Sequence, residues 1–168
     1  MEQILLEFSR ATGIYGFMNS AWGWPIVESL HFFGLSLLIG TVGVFDLRML
    51  GVGQGISYRE LHRLIPFGIA GYSLNVITGT MFVSSAPDQY LYNPAFQTKI
   101  LLMLIAASNM VLFYKTTSAA VSNSAPDQVL SVRARSMGAV SLLCWCGVIV
   151  CGRLITYFRP PYHWCFWC

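Results

Sequence analysis

The chain has 168 residues, 55% of them hydrophobic and 10% charged, with a formal net charge of +3. A soluble domain carries roughly 25% charged residues, so this composition excludes an ordinary soluble globule and points to a lipid bilayer. The ten Lys and Arg residues form no run or stripe that would track a phosphate backbone, which argues against nucleic acid as a partner.

The opening Met1-Glu2-Gln3-Ile4-Leu5-Leu6-Glu7-Phe8 has acids where a secretory signal carries positive charge, so the first segment is expected to be retained. Ile4, Leu5, Phe8, Ala11, Ile14 and Phe17 recur at helical spacing, with Glu2, Glu7 and Arg10 elsewhere on the wheel. This predicts a short amphipathic helix over 1–18, lying at the membrane interface.

About 20 mainly apolar residues cross a hydrocarbon core of roughly 30 Å. Four stretches meet that rule, near Trp22 to Phe45, Leu64 to Val83, Ala95 to Tyr114 and Met137 to Phe158. The second is free of charge and opens with Pro66, which a first helical turn accepts. The third follows Asn93-Pro94, and the fourth closes with Arg153 and Arg159 ahead of Pro160-Pro161, leaving an aromatic and Cys-rich tail over 159–168.

The connections carry turn residues: Gly51 to Gly55, Ala86 to Gln89 and Asn123 to Asp127. Short loops predict a single all-α membrane domain, an up-down four-helix bundle. Six basic residues (Arg48, Arg59, Arg63, Lys115, Arg133, Arg135) flank the first and third loops and four (Arg10, Lys99, Arg153, Arg159) the other side. That bias places both termini outside the cytoplasm, in the periplasm of a bacterial inner membrane. Trp22, Trp24, Tyr90, Tyr92, Tyr157, Tyr162, Trp164 and Trp167 then form an outer aromatic belt.

Glu28 and His31 break the rule that charges sit at stretch ends. Three residues apart, they share one helix face, and ionisable groups in lipid mark a functional site. Antiparallel geometry brings Lys99 and Arg153 to a similar depth. Glu28 is expected to pair with Lys99 or Arg153, and His31 to hydrogen-bond a neighbouring helix. The same four residues also suit haem b, with His31 as axial ligand and the two cations receiving propionates. His62 is excluded as a second axial ligand. Fifteen residues separate His31 from Asp46, which lies at the level where helix two begins, a depth difference of roughly 20 Å.

A rival metal site lies in the tail, where His163, Cys165 and Cys168 suit copper or zinc. A Cys165–Cys168 disulfide is the alternative there. Cys144, Cys146 and Cys151 read as packing residues in helix four. Asp46, Arg48, Arg59, Glu60, His62, Arg63, Arg133 and Arg135 read as a solvated inner rim touching headgroups. Asn75, Thr78 and Asn109 are expected to hydrogen-bond between helices, and Gly34, Gly40, Gly43, Gly68, Gly71 and Gly79 to allow close helix contact. No hydrolase elbow, phosphate loop or His-Glu-x-x-His occurs, and one interior carboxylate is too few for a di-iron centre.

Trp24-Pro25-Ile26-Val27-Glu28-Ser29-Leu30-His31, Phe45-Asp46-Leu47-Arg48, Leu61-His62-Arg63, Asn93-Pro94-Ala95-Phe96-Gln97-Thr98-Lys99 and Gly152-Arg153 with Pro160-Pro161 resemble an uncharacterised bacterial inner-membrane family. The resemblance covers nearly the whole chain, implies a four-helix membrane fold and brings no activity with it. In plan the chain is also similar to cytochrome b561-type and copper-resistance-type bundles, without their paired histidines. The expected function is a small membrane subunit holding a redox cofactor or metal, haem b first. The alternative is a structural or assembly subunit of a membrane complex or homo-oligomer.

Overall fold

The computed structural model describes residues 1–53, 55–125 and 128–158, and among them every regular element is helical. Helix one is composite. α3 (Gly23–Leu38) runs through a π-helical turn (Ile39–Gly43) into α4 (Val44–Met49). The short α5 (Tyr58–His62) starts from Ser57, whose hydroxyl accepts the Glu60 N–H at 3.2 Å, and precedes α6 (Ile65–Ser85), which has Pro66 in its first turn. α7 (Pro87–Leu91) occupies the second connection and α9 (Ser118–Ser122) the third. Between them lies α8 (Pro94–Thr116). The last long helix, α10 (Val132–Leu154), ends in a 3₁₀ turn (Ile155–Phe158).

The stretches Gly23–Met49, Tyr58–Ser85, Pro94–Thr116 and Val132–Phe158 are long and apolar enough to cross a membrane. These four, numbered helices one to four, match the expected spans to within a few residues except at two starts. Helix four begins at Val132 rather than Met137, because Ser131 caps it by accepting the Ala134 N–H and carries it past Arg133 and Arg135. Helix two gains α5 for the corresponding reason at Ser57.

Helices one and two form one antiparallel pair: Trp24 stacks on Phe82, His31 meets Thr78, Gly34 meets Gly71 and Thr41 meets Gly68. The approach is close enough to require glycine. A Cβ on Gly71 would stand 2.5 Å from the Gly34 carbonyl oxygen. Gly40, by contrast, meets nothing within 4 Å. Helices three and four form the second pair, with Leu102 against Gly147 and the Asn109 amide donating to the Met137 carbonyl at 2.9 Å. Asn109 thus bridges helices as expected, whereas the Asn75 amide turns back to Gly71 in its own helix.

The two pairs meet most closely where α4 packs on α10, at the end that carries the first and third connections, here called the lower end. A Cβ on Gly138 would lie 3.1 Å from the Asp46 carbonyl oxygen. Phe45, Met49, Tyr58, Leu61, Phe113, Val121, Leu130, Ala134 and Met137 close an apolar core there. At the upper end a smaller core gathers Tyr90, Ala95 and Ile155. Buried Asn93 ties it together: its Oδ1 accepts the Ala95 and Phe96 N–H groups, and its Nδ2 donates to the Ile155 and Phe158 carbonyls.

The N-terminal segment is two helices rather than one. α1 (Glu2–Ala11) and α2 (Ile14–Met18) join at Gly13, whose φ of 77° is a left-handed conformation that favours glycine. Both pack on α6, burying Ser9 and Met18 completely. The amphipathic stripe does not make that contact, because Ile4, Phe8 and Phe17 stay exposed. Large apolar side chains are likewise exposed along all four long helices, among them Phe33, Ile69, Leu104 and Leu143.

Candidate functional site

α3 presents His31 toward α6, where its Nδ1 lies 2.7 Å from the Thr78 hydroxyl oxygen. That hydroxyl also reaches the Leu74 carbonyl at 2.7 Å, and when its hydrogen goes there it accepts from the imidazole. In that arrangement Nδ1 carries the proton of a neutral His31 and Nε2 keeps a lone pair. Phe82 meets the ring edge-on, with centroids 5.7 Å apart, and Gly79 leaves room for its Cε1.

Lys99 enters from the first turns of α8, a helix started rigidly by Asn93. Its half-buried ammonium lies against α10, where a Cβ on Gly152 would stand 3.7 Å away, and its charge reaches His31. The imidazole of one helix pair thus lies within reach of the charge of the other pair's cation near the upper end. Among the described residues Lys99 has no hydrogen bond or ion pair.

The other two predicted members of the cluster lie elsewhere. Glu28 and Arg153 are both exposed, and neither has an ion-pair partner among the described residues. The expected Glu28 pairing with Lys99 or Arg153 is corrected accordingly. On α3 the packed positions are Val27, Gly34 and Leu38, and Glu28 stands a residue off that stripe. His163, Cys165 and Cys168 fall outside the described residues, and among those described no group of three or more His, Cys, Asp or Glu side chains is placed to hold a metal. Cys144 and Cys151 are buried in helix four, as expected of packing residues, while Cys146 is exposed.

The lower end departs from expectation more sharply. Asp46 and Arg48, read as part of a solvated rim, are each 3% exposed. Positions i and i+2 on a helix point to nearly opposite sides, so the two do not pair with each other. Asp46 lies against α10, with Ser141 near its carboxyl, and its Oδ2 has no partner among the described residues. Arg48 turns the other way. Its Nε donates to the Ile56 carbonyl at 3.0 Å, its guanidinium lies 4.5 Å from the Tyr58 ring centroid, and the Tyr58 hydroxyl donates to its carbonyl at 3.3 Å. The rest of the rim, Arg59, Glu60, His62, Arg63, Arg133 and Arg135, is exposed as expected. His62 meets Tyr114, Nε2 to hydroxyl at 3.3 Å. Asp46 beside α10 and Arg48 beside Tyr58 thus occupy two separate buried polar settings that the spacing of charges did not reveal, since Asp46 directly follows the expected end of the first stretch at Phe45.

No family model, curated protein or solved structure matches the chain.

Proposed function

We propose that the chain is a multi-pass subunit of a bacterial inner membrane, resembling the uncharacterised four-helix family, whose upper-end site binds a redox cofactor of the haem b class. The bundle runs up-down-up-down with both termini periplasmic, and the exposed apolar surface of the four helices and of α1 rests in lipid. The single observation behind the cofactor is His31, bonded through Nδ1 to Thr78 with Nε2 unbonded among the described residues, and within reach of the charge of a Lys99 without a counterion there. A half-buried cation and a bare imidazole nitrogen together call for a ligand with one Lewis-acidic centre and one anionic group.

The residues fit haem b in part. His31 would be the axial ligand, and Thr78 would be the outer partner that fixes its tautomer. Lys99, with Arg153 at a similar level, would hold propionates. The other described histidine, His62, lies at the lower end beside Tyr114, so the fit is to a single protein ligand. When bound, haem supplies reversible one-electron chemistry at iron. Copper or zinc at His163, Cys165 and Cys168 is the rival site.

A structural or assembly subunit is favoured by one different observation. The polar bridges His31–Thr78, Asn109–Met137 and Asn93–Ile155 all join helices, and that job alone explains them. Absorption spectroscopy of the purified protein separates the two. The cofactor reading expects a Soret band that His31→Ala abolishes and His62→Ala leaves intact. For the tail metal, elemental analysis should find copper or zinc that truncation after Pro161 removes. A colourless, metal-free protein that stays folded leaves the structural role. For the topology, cysteines introduced at Asp88 and Asn123 should label from outside the cell only at Asp88, and external labelling at Asn123 would reverse the orientation.

A further inference from the structure

We propose that Asp46, backed by Ser141, is a small-cation site that takes up a proton or a sodium ion in the seam between helices one and four. The seam is tight here, with Gly138 admitting the Asp46 backbone and Phe45, Met49 and Met137 surrounding it as part of the lower core. A carboxyl placed there is removed from water and, as an uncompensated anion, is costly. Ser141 of α10 stands near it, and Oδ2 has no partner among the described residues although Asp46 is 3% exposed. A hard monovalent cation on that oxygen satisfies it and removes the buried charge. Buried acids inside membrane spans that lack a fixed counterion are the groups on which carriers load ions.

The surrounding charges leave the site to a mobile ion. From α10 the group that faces the carboxyl is Ser141, while Arg133 and Arg135 are exposed further toward the end of that helix. From α5 comes Tyr58, spent on the Arg48 carbonyl, with Arg59, Glu60 and His62 exposed. On α4 itself Arg48 is committed to the Ile56 carbonyl and the Tyr58 ring. The π-helical turn just before α4 contributes Thr41, whose hydroxyl is spent on the Leu37 and Leu38 carbonyls. The site is separate from His31 and does not depend on the cofactor assigned there.

Dicyclohexylcarbodiimide tests it on the intact protein in its membrane. The reagent adds to a carboxylic acid: the acid proton passes to one nitrogen, the carboxyl oxygen bonds the central carbon, and rearrangement to an N-acylurea keeps every atom. Mass spectrometry should find one adduct per chain at Asp46, lost in Asp46→Asn. If sodium is the occupant, sodium chloride protects Asp46 where choline chloride does not. If a proton is the occupant, labelling ignores sodium and falls as pH rises. Either result supports the site. Ser141→Ala keeps the carboxyl in place and should move the salt or pH range over which the adduct forms; an unchanged range would overturn the pairing with Ser141. An Asp46 that stays unmodified in the folded protein, whatever happens at exposed Glu28, overturns the proposal. A colourless protein that takes the label would sink the haem reading and leave this one standing.

Discussion

The two polar regions of the molecule exchange the properties that their sequence positions promise. Glu28, inside the first apolar stretch, and Arg153, in the last turn of α10, are exposed on the outside of the chain, while Asp46 and Arg48, one turn from a helix end, are almost completely buried. Depth along a helix is set by how many residues precede it, at 1.5 Å each. Burial is set by which way the side chain points, and that depends on where the neighbouring helices sit. The upper region is therefore a meeting of two helix pairs at the reach of long side chains, with His31 and Lys99 related by charge and not by contact. In the lower region backbone touches backbone through Gly138.

If this contrast is right, the largest loss comes from the lower region. Arg48→Met keeps the length of the side chain and removes its bond to Ile56 and its cation–π contact with Tyr58. It should lower unfolding stability in detergent by about 3 kcal/mol. A change under about 1 kcal/mol would mean that the lower core does not rely on this side chain. In the upper region Thr78→Val removes the partner of His31 without changing shape. It should cost only about 1 kcal/mol, since interhelical hydrogen bonds in bilayers average about 0.6 kcal/mol and reach about 1.7. The same variant sharpens the cofactor question, because it frees the tautomer of His31 and should shift a Soret band if one exists. The smallest effect belongs to Glu28→Gln. Exposed and unpartnered among the described residues, it should change stability by no more than about 0.5 kcal/mol. A loss comparable with that of Arg48→Met would restore the ion network that its position in the stretch implied.

The four long helices were legible because apolar length and turn residues are properties of the chain alone. Pro66 and Asn93 marked helix starts that the structure keeps. Boundaries failed where a capping serine outweighed hydropathy, at Ser57 and Ser131. The bridging roles of Thr78 and Asn109 followed from a polar group having nowhere else to bond in an apolar helix. The exposure of Glu28 did not follow, because nothing in the spacing of helix one says which of its sides helix two covers. The Asp46 centre was hidden for a further reason. Its neighbour Ser141 comes from the fourth span, and Tyr58, the partner of Arg48, from a helix of five residues, and neither is adjacent to these residues in any pattern the chain displays.

Helix one serves both regions, and the wide turn at Ile39–Gly43 lies between them. Above it Gly34 and Leu38 pack on helix two; below it Asp46 and Met49 pack on helix four. A π turn holds one residue more than the α geometry needs, and that residue would otherwise add about 100° of rotation. The turn thus absorbs one residue of sequence without rotating the rod below it. Gly40, where an added Cβ would meet nothing within 4 Å, has room to be that residue. A relative lacking a residue there would close the turn into plain α-helix and keep both halves on their present faces, with the acid still in the seam. Sequence comparison would pair the same faces only with the gap opened at this turn.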